Sequence, residues 1–561
     1  MHLRTLTSSR FLLTAAGLAA LAATTAYCSS GGSGATSGAD GGASGADATT
    51  ASQDGGGGIL TGGGDAATPA DATTPPSDAG AGNDSAVGTN GKPNILFFLT
   101  DDLSWNLVPH MPNVQALQKK GITFSHYFVT ESLCCPSRSS IFTGKYPHDT
   151  KVLANSGAQG GYAAFEDAGN ATQTFAVALA AEGYHLKMMG KYLNGYFPGA
   201  AAGVDPSANP KDPGWTNWAV AGNGYPEYHY WLNEDGTSVY YGDAGSDYLT
   251  TVLHGKAVDY AVPANAPFVL EVASFAPHAP YIPAPADVGT YDAGLPKVPS
   301  FNVPNTNPPG WLEVHKPLVA AEIKKLNDSF DLRVEAVQAV DRMIGDMMTK
   351  LAANGLDKNT YVVFSSDNGY HMGEHILEAG KQTAFDTDIN VPLIVVGPGV
   401  PAGVTDDHVV ENIDLCPTFA ELGGAQPLAT ADGHSLVSLI HGQTVADWRN
   451  VLLVEHKGGT MDPADPDNEQ NVDGGPGSGP DPTTYDAIRM VGAAPDGGLT
   501  NKVFVSYVDG ETEYYDIDSD PYEMDNTVGS LAPATVTQYQ GIVAGIKACK
   551  STATCWSAQH M

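Results

Sequence analysis

Two pairs of oxygen donors stand far apart in the chain, Asp101-Asp102 in "LTDD" and Asp367-Asn368 in "SSDNG". Three carboxylates and an amide form a hard donor set, which suits Ca²⁺ or Mg²⁺ better than a soft metal. Either pair alone would serve equally as a helix cap or a turn. Both pairs, each closing an apolar run, together favour a metal. A second set is cationic or imidazole: Arg138, Lys145, His148, Lys191, His278, His371, His375 and Lys381. With 27 Lys plus Arg against 62 Asp plus Glu and a net charge of −35, cations gathered beside such segments imply a pocket for an anion. Taken singly, Lys145, His148 and His371 read as surface or otherwise satisfied groups. The third feature is "ESLCCPSRSSIFTGKYPH", residues 131–148, where Cys134 and Cys135 are adjacent. Neighbouring Cα atoms about 3.8 Å apart make a strained disulfide, so one of the two thiols has another purpose.

These residues need elements to position them. "NILFFLT", "HLKMMGKY", "PFVLEVASF", "TYVVFSSDNG" and "VPLIVVGPG" are apolar runs of strand length, as expected for strands buried on both faces. "MPNVQALQKKG", "TFAVALAAEGY" and the long amphipathic stretch 320–354 have helical periodicity and glycine or asparagine-glycine stops. Strands alternating with helices predict an α/β fold with a mainly parallel sheet. Ligands gather at the carboxyl ends of such strands, and Asp101-Asp102, His278 and Asp367-Asn368 all fall there. After residue 445 the pattern changes to short strands at hairpin spacing, "NVLLVEH", "KVFVSYV" and "TEYYDID", then a last helix around 536–549. A Gly-, Pro- and Asp-rich insert at 458–484 is expected to be a surface loop.

The ends of the chain set its compartment. Residues 1–28 have the make-up of a targeting segment, with basic residues, an apolar run and Cys28. The expectation is lipidation at Cys28, or else simple cleavage near Ala26; either exports the protein. Residues 29–91 are Gly, Ala, Ser, Thr and Asp and predict a disordered tether. Residues 92–445 are then the catalytic domain and 446–561 a smaller subdomain. In an oxidising compartment Cys549 and Cys555 are close enough to pair, whereas Cys416 lies in an apolar helical pattern and reads as a buried thiol. The acidic balance excludes a general nucleic-acid binder, which needs basic surface.

"CCPSR…TG" with Cys134, Pro136, Ser137, Arg138, Thr143 and Gly144 resembles the sulfatase signature. "LTDD", "GKYLNGY", "APHAPY", "SSDNGYHMGEH…K" and "YYDIDSDPYEMDN" follow in that family's order. The wording is most similar to the N-acetylglucosamine-6-sulfatase branch and its endosulfatase relatives. The resemblance implies an alkaline-phosphatase-like α/β fold with a smaller C-terminal subdomain of antiparallel strands and a helix. It also implies that Cys134 is oxidised to formylglycine by a formylglycine-generating enzyme, Cys135 filling a permissive position. One oxygen of the hydrated aldehyde attacks sulfur, and the other later expels sulfate. By the same resemblance Asp101, Asp102, Asp367, Asn368 and modified Cys134 would ligate Ca²⁺ or Mg²⁺. Arg138 would hold the hydrate, Lys191 and Lys381 the sulfate oxygens, and His278 would act at the leaving oxygen. Many members have a histidine where this chain has Leu193, and Phe142 replaces the usual leucine. The implied substrate is a sulfated glycan or other small sulfate ester. A generic arylsulfatase, or a phosphonate monoester or phosphodiester hydrolase of the same superfamily, is the alternative.

Overall fold

The computed structural model describes residues 91–198, 211–459, 482–493 and 499–561. The leader 1–28, its Cys28, nearly all of the 29–91 tether and most of the 458–484 insert lie outside the described residues.

Ten strands make the central sheet. In chain order they are β1 (Asn94–Thr100), β2 (Ile122–Phe124), β3 (His185–Lys191), β4 (Asn217–Ala221), β5 (Tyr230–Glu234), β6 (Thr237–Tyr241), β7 (Phe268–Ala273), β8 (Thr360–Ser366), β9 (Leu393–Val396) and β10 (Val404–Asp406). Their spatial order is β10-β2-β9-β8-β1-β7-β3-β4-β5-β6. The middle block β8-β1-β7-β3-β4 is parallel, with Leu96 opposite Leu270 on one side and Val362 on the other. The flanks depart from it: β9 runs antiparallel to both β8 and β2, and β5 and β6 form an antiparallel extension. "VPLIVVGPG" is thus a buried strand as expected, but its direction is set by pairing partners that no local pattern encodes.

Both faces of the sheet are covered, which is why its strands read as unbroken apolar runs. Ile95, Phe97 and Leu99 point to one core and Leu96 and Phe98 to the other. The first layer contains α2 (Cys134–Thr143), α3 (Phe175–Ala181) and α6 (Leu415–Leu422). The second contains α1 (Pro112–Lys120), α4 (Leu249–Tyr260) and α5 (Ala320–Ala353). Helix α5 buries Leu326, Phe330, Val334, Val337, Ile344 and Leu351 at helical spacing and starts with the Glu322 carboxylate accepting from Val319 N at 2.7 Å. It stops where Gly355 adopts φ 67°.

The second sheet is wholly antiparallel: β11 (Val451–His456), β12 (Tyr485–Ala493), β13 (Leu499–Tyr507) and β14 (Thr512–Asp516), in that order. One face packs on α7 (Pro533–Lys547) through Ile488, Phe504 and Ile546, and the other joins the core on one face of the central sheet through Leu452, Val454 and Tyr515. Cys549 and Cys555 form a disulfide, and Cys416 is a buried free thiol on α6.

Candidate active site

Cys134 is the first residue of α2, whose open backbone N–H groups face the carboxyl edge of the sheet. Asn155 Oδ1 takes one of these groups, accepting from Cys135 N at 2.8 Å. The helix ends at Gly144, which adopts φ 72° and donates its N–H to Ser140 O at 2.8 Å. A Cβ there would lie 3.1 Å from Ala431 Cβ and 3.2 Å from Cys416 Cβ, so both the backbone and the packing call for glycine.

The strand ends supply the rest. Asp101 and Asp102 follow β1, Asp367 and Asn368 follow β8, Lys191 closes β3 and His278 comes shortly after β7. Cys134 Sγ lies 3.3 Å from Asp101 Oδ1 and 3.9 Å from Asp102 Oδ1, and Lys381 Nζ donates to it at 2.9 Å. Lys381 also donates to Asp102 Oδ1 at 2.8 Å, and Lys191 Nζ to Asp101 Oδ2 at 2.6 Å. Arg138 Nε donates to Asp367 Oδ2 at 2.8 Å, with its Nη2 3.9 Å from Asp101 Oδ1. His278 Nε2 is 3.5 Å from Asp102 Oδ2. All of these side chains are buried. The nine positions singled out in sequence, Asp101, Asp102, Cys134, Arg138, Lys191, His278, Asp367, Asn368 and Lys381, therefore come together at one centre.

Burial pushes the Asp101 carboxyl up to about 6 although Lys191 opposes it. Burial acts on Asp367 as well, but Arg138, with Lys191 and Lys381, holds it below its ordinary range. Cys135, fully buried, has its thiol pushed up to about 12 by desolvation. It is an inert neighbour in the wall.

The donor set fits a hard cation. Asp101, Asp102, Cys134 and His278 offer ligand atoms within 4.8 Å of one another. Asn368 sits against Asp102 Oδ1 at 2.6 Å, while its own Oδ1 is buried without a hydrogen-bond partner among the described residues. Oxygens dominate, as Ca²⁺ and Mg²⁺ require. Arg138 Nη2 is the other buried polar atom of the centre with no hydrogen-bond partner among the described residues.

Four of the singled-out groups are elsewhere. Lys145 donates to Gln173 Oε1, His148 pairs with Glu455 and His371 with Asp388. His375 stacks on Phe385 with centroids 3.7 Å apart and meets Asn305 Oδ1 at 2.8 Å. Leu193, at the position where many sulfatases have a histidine, is buried in the core. The space beside Lys191 is filled instead by Tyr225, whose ring centre is 4.8 Å from Lys191 Nζ and 4.6 Å from the His278 ring. Sequence reasoning missed Tyr225, and it missed Arg333. Arg333 Nη2 donates to the Asp102 carbonyl at 2.5 Å, and its guanidinium stacks 4.4 Å over Tyr370. The signal was present: a charged residue on the buried stripe of α5, next to Phe330 and Val334. Tyr225 left no such trace in the pattern.

The sulfatase family model matches residues 93–425. The chain belongs to the sulfatase family. Human N-acetylglucosamine-6-sulfatase is 31% identical over 468 residues, covering 80% of this chain and 83% of the human protein. Among solved structures, BT4656 in complex with its substrate D-glucosamine-2-N,6-O-disulfate superposes with a TM-score of 0.64 at 21% identity, over 81% of this chain and 97% of that one. The phosphonate monoester hydrolase of Silicibacter pomeroyi gives 0.60 at 20% identity, over 82% and 96%. At those identities the two structures speak for the fold alone. This sulfatase is an enzyme of sulfate ester hydrolysis, with the alkaline-phosphatase-like architecture expected from its motifs.

Proposed function

We propose that this sulfatase removes sulfate from a sulfated sugar, such as a 6-O-sulfated N-acetylglucosamine unit, using formylglycine made from Cys134 and a bound Ca²⁺ or Mg²⁺. The observation that carries this reading is the position of Cys134. Its Sγ lies against Asp101 and Lys381, and His278 Nε2 is 3.5 Å from the adjacent Asp102. Arg138 Nη2, 3.9 Å from Asp101 Oδ1 and without a hydrogen-bond partner among the described residues, would hold the aldehyde hydrate.

Asp101, Asp102, Asp367 and Asn368 would hold the cation, which supplies Lewis acidity that favours the deprotonated hydrate. Lys191 and Lys381, each already within 2.9 Å of a centre carboxylate or of Cys134, would turn to the sulfate oxygens and stabilise charge as it builds. His278 Nδ1 is 2.6 Å from the Ala279 carbonyl, which can only accept, so Nδ1 carries a proton. Its Nε2 lies 3.5 Å from Asp102 Oδ2. His278 would act at the leaving sugar oxygen, as general acid or hydrogen-bond donor. Beside it, a cavity of about 460 Å³ is lined by Asn194, Tyr225 and the half-exposed Phe197. That is room and chemistry for a sugar ring: an aromatic face and amide hydrogen bonds.

The proposed setting is outside the cytoplasm, from the leader-like residues 1–28 and from a disulfide that persists in oxidising compartments. Anchoring through lipid on Cys28 belongs to the same proposal.

Protein co-expressed with a formylglycine-generating enzyme should release sulfate from N-acetylglucosamine-6-sulfate, lose activity to a chelator and regain it with Ca²⁺. Faster turnover of an aryl phosphonate monoester than of any sulfate ester would instead assign it the phosphonate chemistry.

A further inference from the structure

Tyr225 stands just past β4 on a turn whose backbone is pinned on both sides. Glu227 N donates to Gly224 O at 2.9 Å, and Leu249 N, at the start of α4, donates to Glu227 O at 2.9 Å. The buried Glu227 carboxyl accepts from Thr250 N at 2.8 Å and from Thr250 Oγ1 at 3.0 Å. A Cβ on Gly224 would come within 2.6 Å of the Phe275 ring and of Leu249 Cδ2, so the chain beside Tyr225 lies directly on those side chains. Tyr225 is therefore fixed by its own backbone before any substrate arrives.

Its ring meets the two active-centre groups that come from β3 and from beyond β7. The ring centre is 4.8 Å from Lys191 Nζ and 4.6 Å from the His278 ring centre, and Phe275 packs on it edge to face at 5.0 Å. The hydroxyl has a different partner, accepting from Asn194 Nδ2 at 3.2 Å.

Lys191 and His278 each have one atom tied already. Lys191 Nζ donates to Asp101 Oδ2 at 2.6 Å, and His278 Nδ1 donates to Ala279 O at 2.6 Å. One hydrogen bond fixes one atom and leaves a long stem or an imidazole free to pivot about it. A packed ring removes that freedom during folding, so it does not have to be removed at the moment of reaction. The aromatic face also attracts an ammonium through its quadrupole without being a lone-pair acceptor, which leaves Lys191 donor hydrogens for sulfate oxygens. An aliphatic side chain of similar bulk offers neither a face to the ammonium nor a ring to the imidazole.

We propose that Tyr225 is a positioning residue for sulfate ester cleavage: its ring, and not its hydroxyl, holds the Lys191 ammonium and the His278 imidazole in place at the centre. This rests on the reading of Lys191 and His278 as the groups that meet the sulfate and the leaving oxygen, and Tyr225 acts through them. Because Tyr225 also belongs to the wall of the 460 Å³ cavity, a role in substrate binding alone is the competing outcome, and it would appear in KM.

The test uses the full chain, co-expressed with a formylglycine-generating enzyme and loaded with metal, in steady-state assays on a small aryl sulfate. Tyr225→Leu should lower kcat about tenfold or more while KM changes less than about threefold. Tyr225→Phe, which keeps the ring, should recover most of that loss. Added to Lys191→Ala or to His278→Ala, Tyr225→Leu should cost clearly less than it costs alone, because the group it positions is already gone. If Tyr225→Leu melts lower than wild type, Tyr225→Met is read in its place with the same expectations. A kcat within about threefold of wild type, a loss confined to KM, equal losses in the Leu and Phe variants, or losses that multiply fully in either double variant would overturn the positioning role. Unchanged kcat in Lys191→Ala and His278→Ala would instead overturn the reading on which it rests, and the role with it.

Discussion

Lys191 and Lys381 reach the centre from different elements and are held on adjacent carboxylates, Asp101 and Asp102. Each is anchored at the centre before substrate arrives and would turn only its ammonium to the sulfate oxygens, which limits the reorganisation needed as charge builds. Lys191→Ala and Lys381→Ala should each lower kcat on a sulfate ester roughly 10²–10³-fold, in steady-state assays of metal-loaded protein. A loss below tenfold in both would remove them from the sulfate-binding role. At this scale most of the site was legible in the sequence, because reactive residue types stand inside short ordered motifs. Asp102 shows the limit: its φ of 61°, and the Arg333 donor that holds its carbonyl, arise from contacts 231 residues apart that no local spacing reveals.

Among the elements, α2 and α5 do the positioning. Gly144→Ala would force a side chain into a left-handed residue and against Ala431 and Cys416, costing about 1–2 kcal/mol or more. A melting scan should show the loss, and an unchanged melting temperature would mean that α2 can end differently. Arg333→Met keeps the volume of the α5 stripe but removes the donor to Asp102. It should reduce metal affinity or activity roughly 10–100-fold while leaving the helix folded, as a metal titration followed by circular dichroism would show. The α/β alternation was readable from strand-length apolar runs, and the C-terminal strands from hairpin spacing. Antiparallel β9 and the β5-β6 extension were not, because direction depends on which edge a strand meets. The Lys381 loop is a further case: Gln382 N donates to Ser132 O, and Tyr485 OH on β12 donates to Gln382 O. That ties the loop of Lys381 to the C-terminal sheet through backbone atoms that sequence does not mark.

For the molecule as a whole, buried charge sets the response to pH. Glu271 lies in the middle of β7, fully buried, and neither carboxyl oxygen has a hydrogen-bond partner among the described residues. Burial raises its carboxyl from 4.5 to about 8, with Arg138 opposing. Between those values the folded chain keeps a proton that the unfolded chain has lost, so this group's contribution to stability falls as pH rises, by about 1.4 kcal/mol per unit. Glu271→Gln removes that dependence. The variant should melt close to wild type near pH 4.5 and progressively higher than wild type toward pH 8. A constant difference across that range would show that Glu271 folds as a carboxylate.

The central claim is that Cys134, and not its neighbour, becomes the reacting group. Mass measurement of the peptide spanning Cys134 and Cys135, on protein whose sulfate release has just been assayed, tests it most directly. The account predicts an aldehyde or its hydrate at Cys134, an unmodified thiol at Cys135, and activity that scales with the modified fraction and vanishes in Cys134→Ala. Active protein with Cys134 still a thiol, or with Cys135 modified in its place, would contradict it.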